Sequence, residues 1–187
     1  MFGKQGMEMR RRTNTAAGVI LLAVYWYFVI QLTGGTPTNF IIIRDFARTI
    51  NLSLIPFHDI AEVLTTNDVV GSVIQIVGNL VMFVPLGVLV PLFWSGWRSP
   101  SRTIGLGLCM SLFIEVNQLF TYRATSVDDL ILNTLGAAVG WLCFLLVARL
   151  FRVDTRAGKR LEKLPIVILF AVWMCCIALE LPTFLAY

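Results

Sequence analysis

Apolar residues in this chain fall into long blocks separated by short polar stretches. Five blocks stand out, at residues 16–32, 69–94, 103–122, 127–150 and 164–187. A helix needs about 20 apolar residues to cross the hydrocarbon core of a bilayer. Each block therefore reads as a transmembrane helix, and the chain as an all-α, five-helix integral membrane bundle forming a single domain over residues 1–187. Between the first two blocks the pattern changes. After Thr36-Pro37, a helix-start signal, Phe40, Ile43, Ala47 and Ile50 recur at helical spacing. Arg44, Asp45 and Arg48 share another face. That predicts a short amphipathic helix on the membrane surface. A second is predicted after Pro56, from Phe57, Ile60, Ala61 and Leu64.

Composition supports the pattern. Hydrophobic residues make up 57% of the chain and charged residues 14%. A soluble chain of 187 residues has no interior large enough for five such blocks. The formal net charge of +4 would suit nucleic acid, but it sits between apolar blocks, where membrane topology accounts for it. Twelve Lys and Arg residues lie on the side holding the N-terminal tail, against Arg44, Arg48 and Arg123 on the other. The positive-inside rule then places the N-terminus in the cytoplasm and the C-terminus outside. The first block follows Arg10, Arg11 and Arg12 and reads as an uncleaved signal anchor, because no A-x-A cleavage site follows it. Cys109, Cys143, Cys175 and Cys176 all lie in apolar blocks and read as small fillers.

Polar residues inside apolar spans are costly and mark function or helix packing. Gln75, Glu115, Asn133 and Glu180 each lie six or seven residues from the outer end of their span, roughly 9–10 Å deep. Helical spacing adds companions: Gln75 with Asn79; Glu115 with Gln118; Asp129 with Asn133, Gly136 and Gly140. Arg123 and Asp128 sit in the turn between the third and fourth spans. Arg123 is the expected partner of Asp129 or Glu115, and Asp128 is expected to face water. The prediction is a polar pocket in the outer leaflet, open to the outside. Such residues also act as structural glue between helices, the competing account of each. Glu180 has no supporting pattern and reads as glue. His58, the one histidine, reads as a solvated loop residue, since one histidine makes neither a metal cluster nor a triad. No cofactor or metal is expected. Gly136-x-x-x-Gly140 reads as a close helix contact, and Pro85 as a kink.

Three segments resemble the VanZ family of bacterial membrane proteins. Asn51-Leu-Ser-Leu-Ile-Pro-Phe57 is similar to the family's N-L-x-P-F segment, with two extra residues. Gly78-Asn79 with Phe83, Pro85 and Gly87 is similar to its N-x-x-x-F-x-P-x-G span. Glu115-x-x-Gln118, Arg123, Asp128-Asp129, Asn133, Gly136 and Gly140 resemble its E-x-x-Q … D-x-x-x-N-x-x-G-x-x-x-G signature. The resemblance covers residues 51–140. It implies the bacterial cytoplasmic membrane and an association with resistance to teicoplanin and related lipid-tailed glycopeptides.

The leading functional expectation is a binding or shielding protein. Its pocket would hold a lipid-linked wall precursor, a phospholipid head group or the antibiotic. Competing expectations are an enzyme with Glu115 and Asp129 as acid and base, a lipid transporter, and a structural partner subunit.

Overall fold

A computed structural model describes residues 2–34, 52–58, 61, 69–118, 125–158 and 161–185, with side chains between residues 15 and 180. Five long helices dominate: α1 (Phe2–Thr33), α2 (Val69–Phe93), α3 (Pro100–Gln118), α4 (Val127–Leu150) and α5 (Leu164–Leu185). Two short strands, β1 (Leu52–Ser53) and β2 (Thr125–Ser126), pair in parallel with Leu52 opposite Thr125 and Ser53 opposite Ser126. The helix predicted from Thr36, together with Arg123, Ile60 and Leu64, lies outside the described residues. Of the second predicted helix one turn is seen, Ala61 N–H donating to Phe57 O at 2.9 Å.

Helix ends follow local chemistry. Helix α1 does not stop at the apolar block. It runs back through Arg10–Arg12, because Lys, Gln, Glu, Met and Arg are good helix formers. It ends before Gly34, whose φ of 63° suits the left-handed closing position. Helix α2 continues through Pro85 and Pro91. It gives way to a 3₁₀ turn, Ser95–Trp97, after which Pro100 opens α3. Ser126 caps α4, its Oγ accepting from Asp128 N–H at 3.1 Å.

Among the described residues, three helical segments are long and apolar enough to cross a membrane: Thr15–Thr33, Val69–Phe93 and Val127–Leu150. In α5 the described side chains form a further apolar stretch, Leu164–Glu180. Helix α3 has an inverted pattern. Thr103, Ser111, Glu115, Asn117 and Gln118 are buried, while Leu108, Leu112 and Val116 are exposed. Val70, Ile74, Val77 and Val81 similarly make one exposed stripe on α2. Apolar surface on this scale does not suit water, and suits lipid.

The tightest contact is the seam between α2 and α4. A Cβ at Gly136 would overlap the carbonyl oxygen of Leu80, and one at Gly140 the carbonyl oxygen of Val84. From the other side, a Cβ at Gly87 would overlap Ala137 O. The G-x-x-x-G pair thus lets two backbones meet, as predicted, and its partner is Gly87 of α2. Around the seam, Leu22 and Trp26 of α1, Phe83 and Leu86 of α2, Met110 of α3 and Leu169 of α5 form one core. Tyr25 Oη ties α1 to α2 by donating to Met82 O at 2.8 Å.

Candidate functional site

Most of the polar residues predicted within the spans meet at one end of the bundle, where α4 begins and α3 stops. The arrangement starts from β2. Ser126 N–H donates to Glu115 Oε2 at 3.2 Å, and Thr125 Oγ1 donates to Glu115 O at 3.4 Å. Glu115 is buried, and the bond from a backbone amide offsets part of the cost of burying its carboxyl group. Two residues on, Asp128 Oδ1 accepts from Phe57 N–H. Asp128 is only 1% exposed. The expectation that it faces water is therefore wrong, because β1 pairing with β2 folds the Leu52–His58 segment over the start of α4. Both aspartates also lie in the first turn of α4, where the helix dipole favours negative charge by about 0.3–1 kcal/mol each.

Asp129 and Asn79 join α4 to α2, Asn79 Nδ2 donating to Asp129 Oδ1, and both are half-buried. One turn further into α4, Asn133 Nδ2 donates to Ser111 Oγ of α3 at 2.9 Å. Asn133 is 2% exposed, and its Oδ1 has no hydrogen-bond partner among the described residues. A buried acceptor left open costs about 1–3 kcal/mol. Gln118 Nε2 reaches back to α1, donating to Thr33 O at 3.3 Å, one of the carbonyls that a helix end leaves over.

The structure thus brings Asn79, Glu115, Gln118, Asp128, Asp129 and Asn133 into one region. It leaves Gln75 out: its side chain is exposed on the first turns of α2 and makes no hydrogen bond among the described residues. Helical spacing alone put Gln75 with Asn79, but the neighbouring helices do not cover α2 that far out. Glu180 is half-buried on α5 and His58 is exposed. Of the cysteines only Cys176 is buried; Cys109 and Cys175 are exposed, so they do not fill the core.

Sequence reasoning missed Ser111, Ser126, Thr33 and the Phe57 amide. Ser126 was findable, since Ser before an Asp-Asp first turn is a helix-start signal. Ser111 stands one turn before Glu115 on the same face. The Phe57 amide carries no side-chain signal at all.

Phe57 has a further peculiarity. His58 N–H donates to Ile55 O at 3.3 Å, closing a four-residue turn with Pro56 second and Phe57 third. Phe57 has φ 65°. A turn of that kind takes glycine at its third position. A side chain there costs roughly 1–2 kcal/mol.

A helical bundle with three segments fit to cross a membrane, and with carboxylates and amides joined at one end, defines a class: helical membrane proteins that carry polar chemistry among their spans. Within that class the VanZ/LLP1 family model matches residues 18–149. The chain belongs to that family. The match covers the helices that build the polar region and stops short of α5. No curated protein and no solved structure is significantly similar to the chain.

Proposed function

We propose that this chain is a five-span protein of the bacterial cytoplasmic membrane, N-terminus inside and C-terminus outside. On this reading its polar end binds the head of a lipid-linked or lipid-tailed molecule at the outer leaflet: a wall precursor, a phospholipid or a glycopeptide such as teicoplanin. The Lys and Arg asymmetry supports the orientation, with α3 and α5 as the remaining spans. The observation that carries the binding reading is the Asn79–Asp129 pair. It is the half-buried, side-chain-to-side-chain contact of the region, so a ligand can reach it and exchange partners with it. Asn133 Oδ1 adds an acceptor one turn deeper. Glu115, Gln118 and Asp128 play a different part, since they bond backbone groups of Ser126, Thr33 and Phe57 and hold the framework. Arg123 keeps its proposed place as a cation beside the carboxylates.

A second reading rests on those same backbone bonds: the whole region is a clasp joining α1, α3 and α4, and its function is structural. One experiment separates the two. The chain is expressed in a susceptible Gram-positive host at matched membrane levels. Inhibitory concentrations of teicoplanin and a lipoglycopeptide are compared for wild type, Asp129→Asn, Asn79→Ala and an empty vector. Protection by wild type that both variants lose is the expected result. Variants that protect as well as wild type would sink the binding reading and leave the clasp. A wild type that does not protect would remove the antibiotic from the ligand classes.

A further inference from the structure

The segment Leu54–Phe57, beside the framework of the proposed site, unites three features. Leu54, Ile55 and Phe57 are 63%, 66% and 60% exposed. The turn is fixed on both sides, by β1 pairing with β2 and by Phe57 N–H bonding buried Asp128. It also holds a large aromatic residue at a left-handed position that favours glycine. Strain kept in place by surrounding bonds points to a use for the side chain that bears it.

What covers these side chains follows from where the turn is tied. Ser53 lies opposite Ser126, the cap of α4, and the Phe57 amide reaches the second residue of α4. Helix α4 has 24 residues, or roughly 36 Å of length against about 30 Å of hydrocarbon. If α4 crosses the bilayer, its first turn lies within about 3 Å of the edge of the acyl region. We infer that Leu54, Ile55 and Phe57 form a fixed apolar wedge that enters the acyl chains of the adjoining leaflet, with Asp128 holding it in place. The wedge adds to the lipid-facing surface that Val70, Ile74, Val77 and Val81 present on α2. At this edge an aromatic side chain gains from burial while the nearby backbone keeps its polar partners.

The inference requires α4 to span the membrane and is independent of any head-group ligand. The test uses the full chain with its four cysteines replaced, reconstituted in phosphatidylcholine–phosphatidylglycerol vesicles. A nitroxide is placed at Ile55→Cys, at Phe57→Cys, or at Val77→Cys as the lipid-facing reference. Power saturation then measures collisions with oxygen and with a water-soluble nickel chelate. The wedge predicts high oxygen and low nickel accessibility at 55 and 57, shifted toward the reference at 77. Asp128→Ala is expected to move label 57 toward the nickel-accessible range while label 77 stays unchanged, which shows the bundle intact. Phe57→Gly, which keeps the turn without strain, is expected to make label 55 shallower.

High nickel accessibility at 55 and 57 in the otherwise unaltered chain would place the turn in water and overturn the inference. Low accessibility to both reagents would place it against protein and overturn it equally. A label at 77 that nickel reaches freely would remove the spanning reading of the bundle, and the wedge with it.

Discussion

Both ends of the bundle use bonds between side chains and backbone, but they differ in what is added. At the acidic end, side chains of different helices also meet: Asn79 with Asp129, and Asn133 with Ser111. At the opposite end, Ser95 Oγ reaches Glu162 Oε1 at 3.4 Å, and the other bonds that join the connections have a backbone atom at one end at least. Arg102 Nη1 donates to Gly96 O at 2.7 Å and to Gly158 O at 2.9 Å. Trp97 Nε1 donates to Glu162 O at 2.8 Å, while Glu162 Oε2 accepts from Gly96 N–H at 3.3 Å. Trp141 Nε1 donates to Arg98 O, and Arg98 Nε to Pro91 O. Together these tie the 3₁₀ turn after α2 to the α4–α5 connection and finish the carbonyls that α2 leaves over. The basic end therefore works as a latch whose bonds are internal. The acidic end keeps polar groups on its half-buried side chains, where another molecule can compete for them.

The seam is the place to break both ends at once. Gly140→Val puts a side chain where the Val84 carbonyl oxygen and, at 2.9 Å, the Gly87 Cα already stand. Neither is the flexible end of a side chain, so the helices must separate. The expected loss is about 3 kcal/mol or more, read as a fall in the thermal midpoint of the purified protein. An unchanged midpoint would mean that α2 and α4 do not meet there.

Next in size is Arg102→Met, which leaves the Gly96 and Gly158 carbonyls without their charged donor. Bonds to charged groups contribute roughly 1.5–3 kcal/mol. Half-burial lowers that, and about 2 kcal/mol is the expected loss of stability. Any function of the acidic end, compared at matched membrane levels, should persist. Loss of that function by a well-expressed Arg102→Met would show that the two ends are coupled.

These two substitutions also separate what was legible in the sequence from what was not. Gly136, Gly140, Asn79 and Asp129 stand out because small or polar residues interrupt an apolar run, and helical spacing then groups them. The span edges at Val69, Val127 and Leu164 follow from the same contrast. The latch offers no such contrast. Ser95, Gly96, Arg102 and Gly158 lie in or beside connections, where such residues are ordinary, and apart from the Ser95–Glu162 contact their bonds have at least one backbone end, which any sequence supplies. The burial of Asp128 was hidden for the same reason. Its partner is an amide 71 positions away, delivered by a two-residue strand too short to leave a pattern. Spacing also overreached at Gln75, because it fixes a helix face but not how far neighbouring helices extend along it.

The Asn79–Asp129 pair gives a smaller energetic effect and the larger functional one. Side-chain bonds between membrane helices average about 0.6 kcal/mol and reach about 1.7 in double-mutant cycles. A cycle of Asn79→Ala and Asp129→Ala should return coupling within that range by thermal or denaturant unfolding. Coupling well above it would make the pair a main fastening of α2 to α4. The clasp would then gain ground over binding.

The smallest effect comes from two left-handed residues, one at each end, both of which lack glycine. At the basic end Arg152, with φ 53°, lets α4 close by a bond from Val153 N–H to Ala148 O at 2.8 Å. That is the C-terminal arrangement in which glycine is most at home. Arg152 is exposed, and its side chain makes no hydrogen bond among the described residues. Arg152→Gly removes the left-handed penalty and adds unfolded-state freedom, which opposes it by about 0.4–1 kcal/mol. The expected result is a net stabilisation of a few tenths of a kcal/mol, seen as a small rise in thermal midpoint. Phe57→Gly has similar arithmetic for the turn itself but removes a ring that is 60% exposed. In detergent both variants should be as stable as wild type or slightly more so. In vesicles only Phe57→Gly should lose the apolar contact that the strained position serves. A destabilisation of more than about 1 kcal/mol by Arg152→Gly would mean that the arginine holds a partner of its own. The two left-handed positions would then be alike in function as well as geometry.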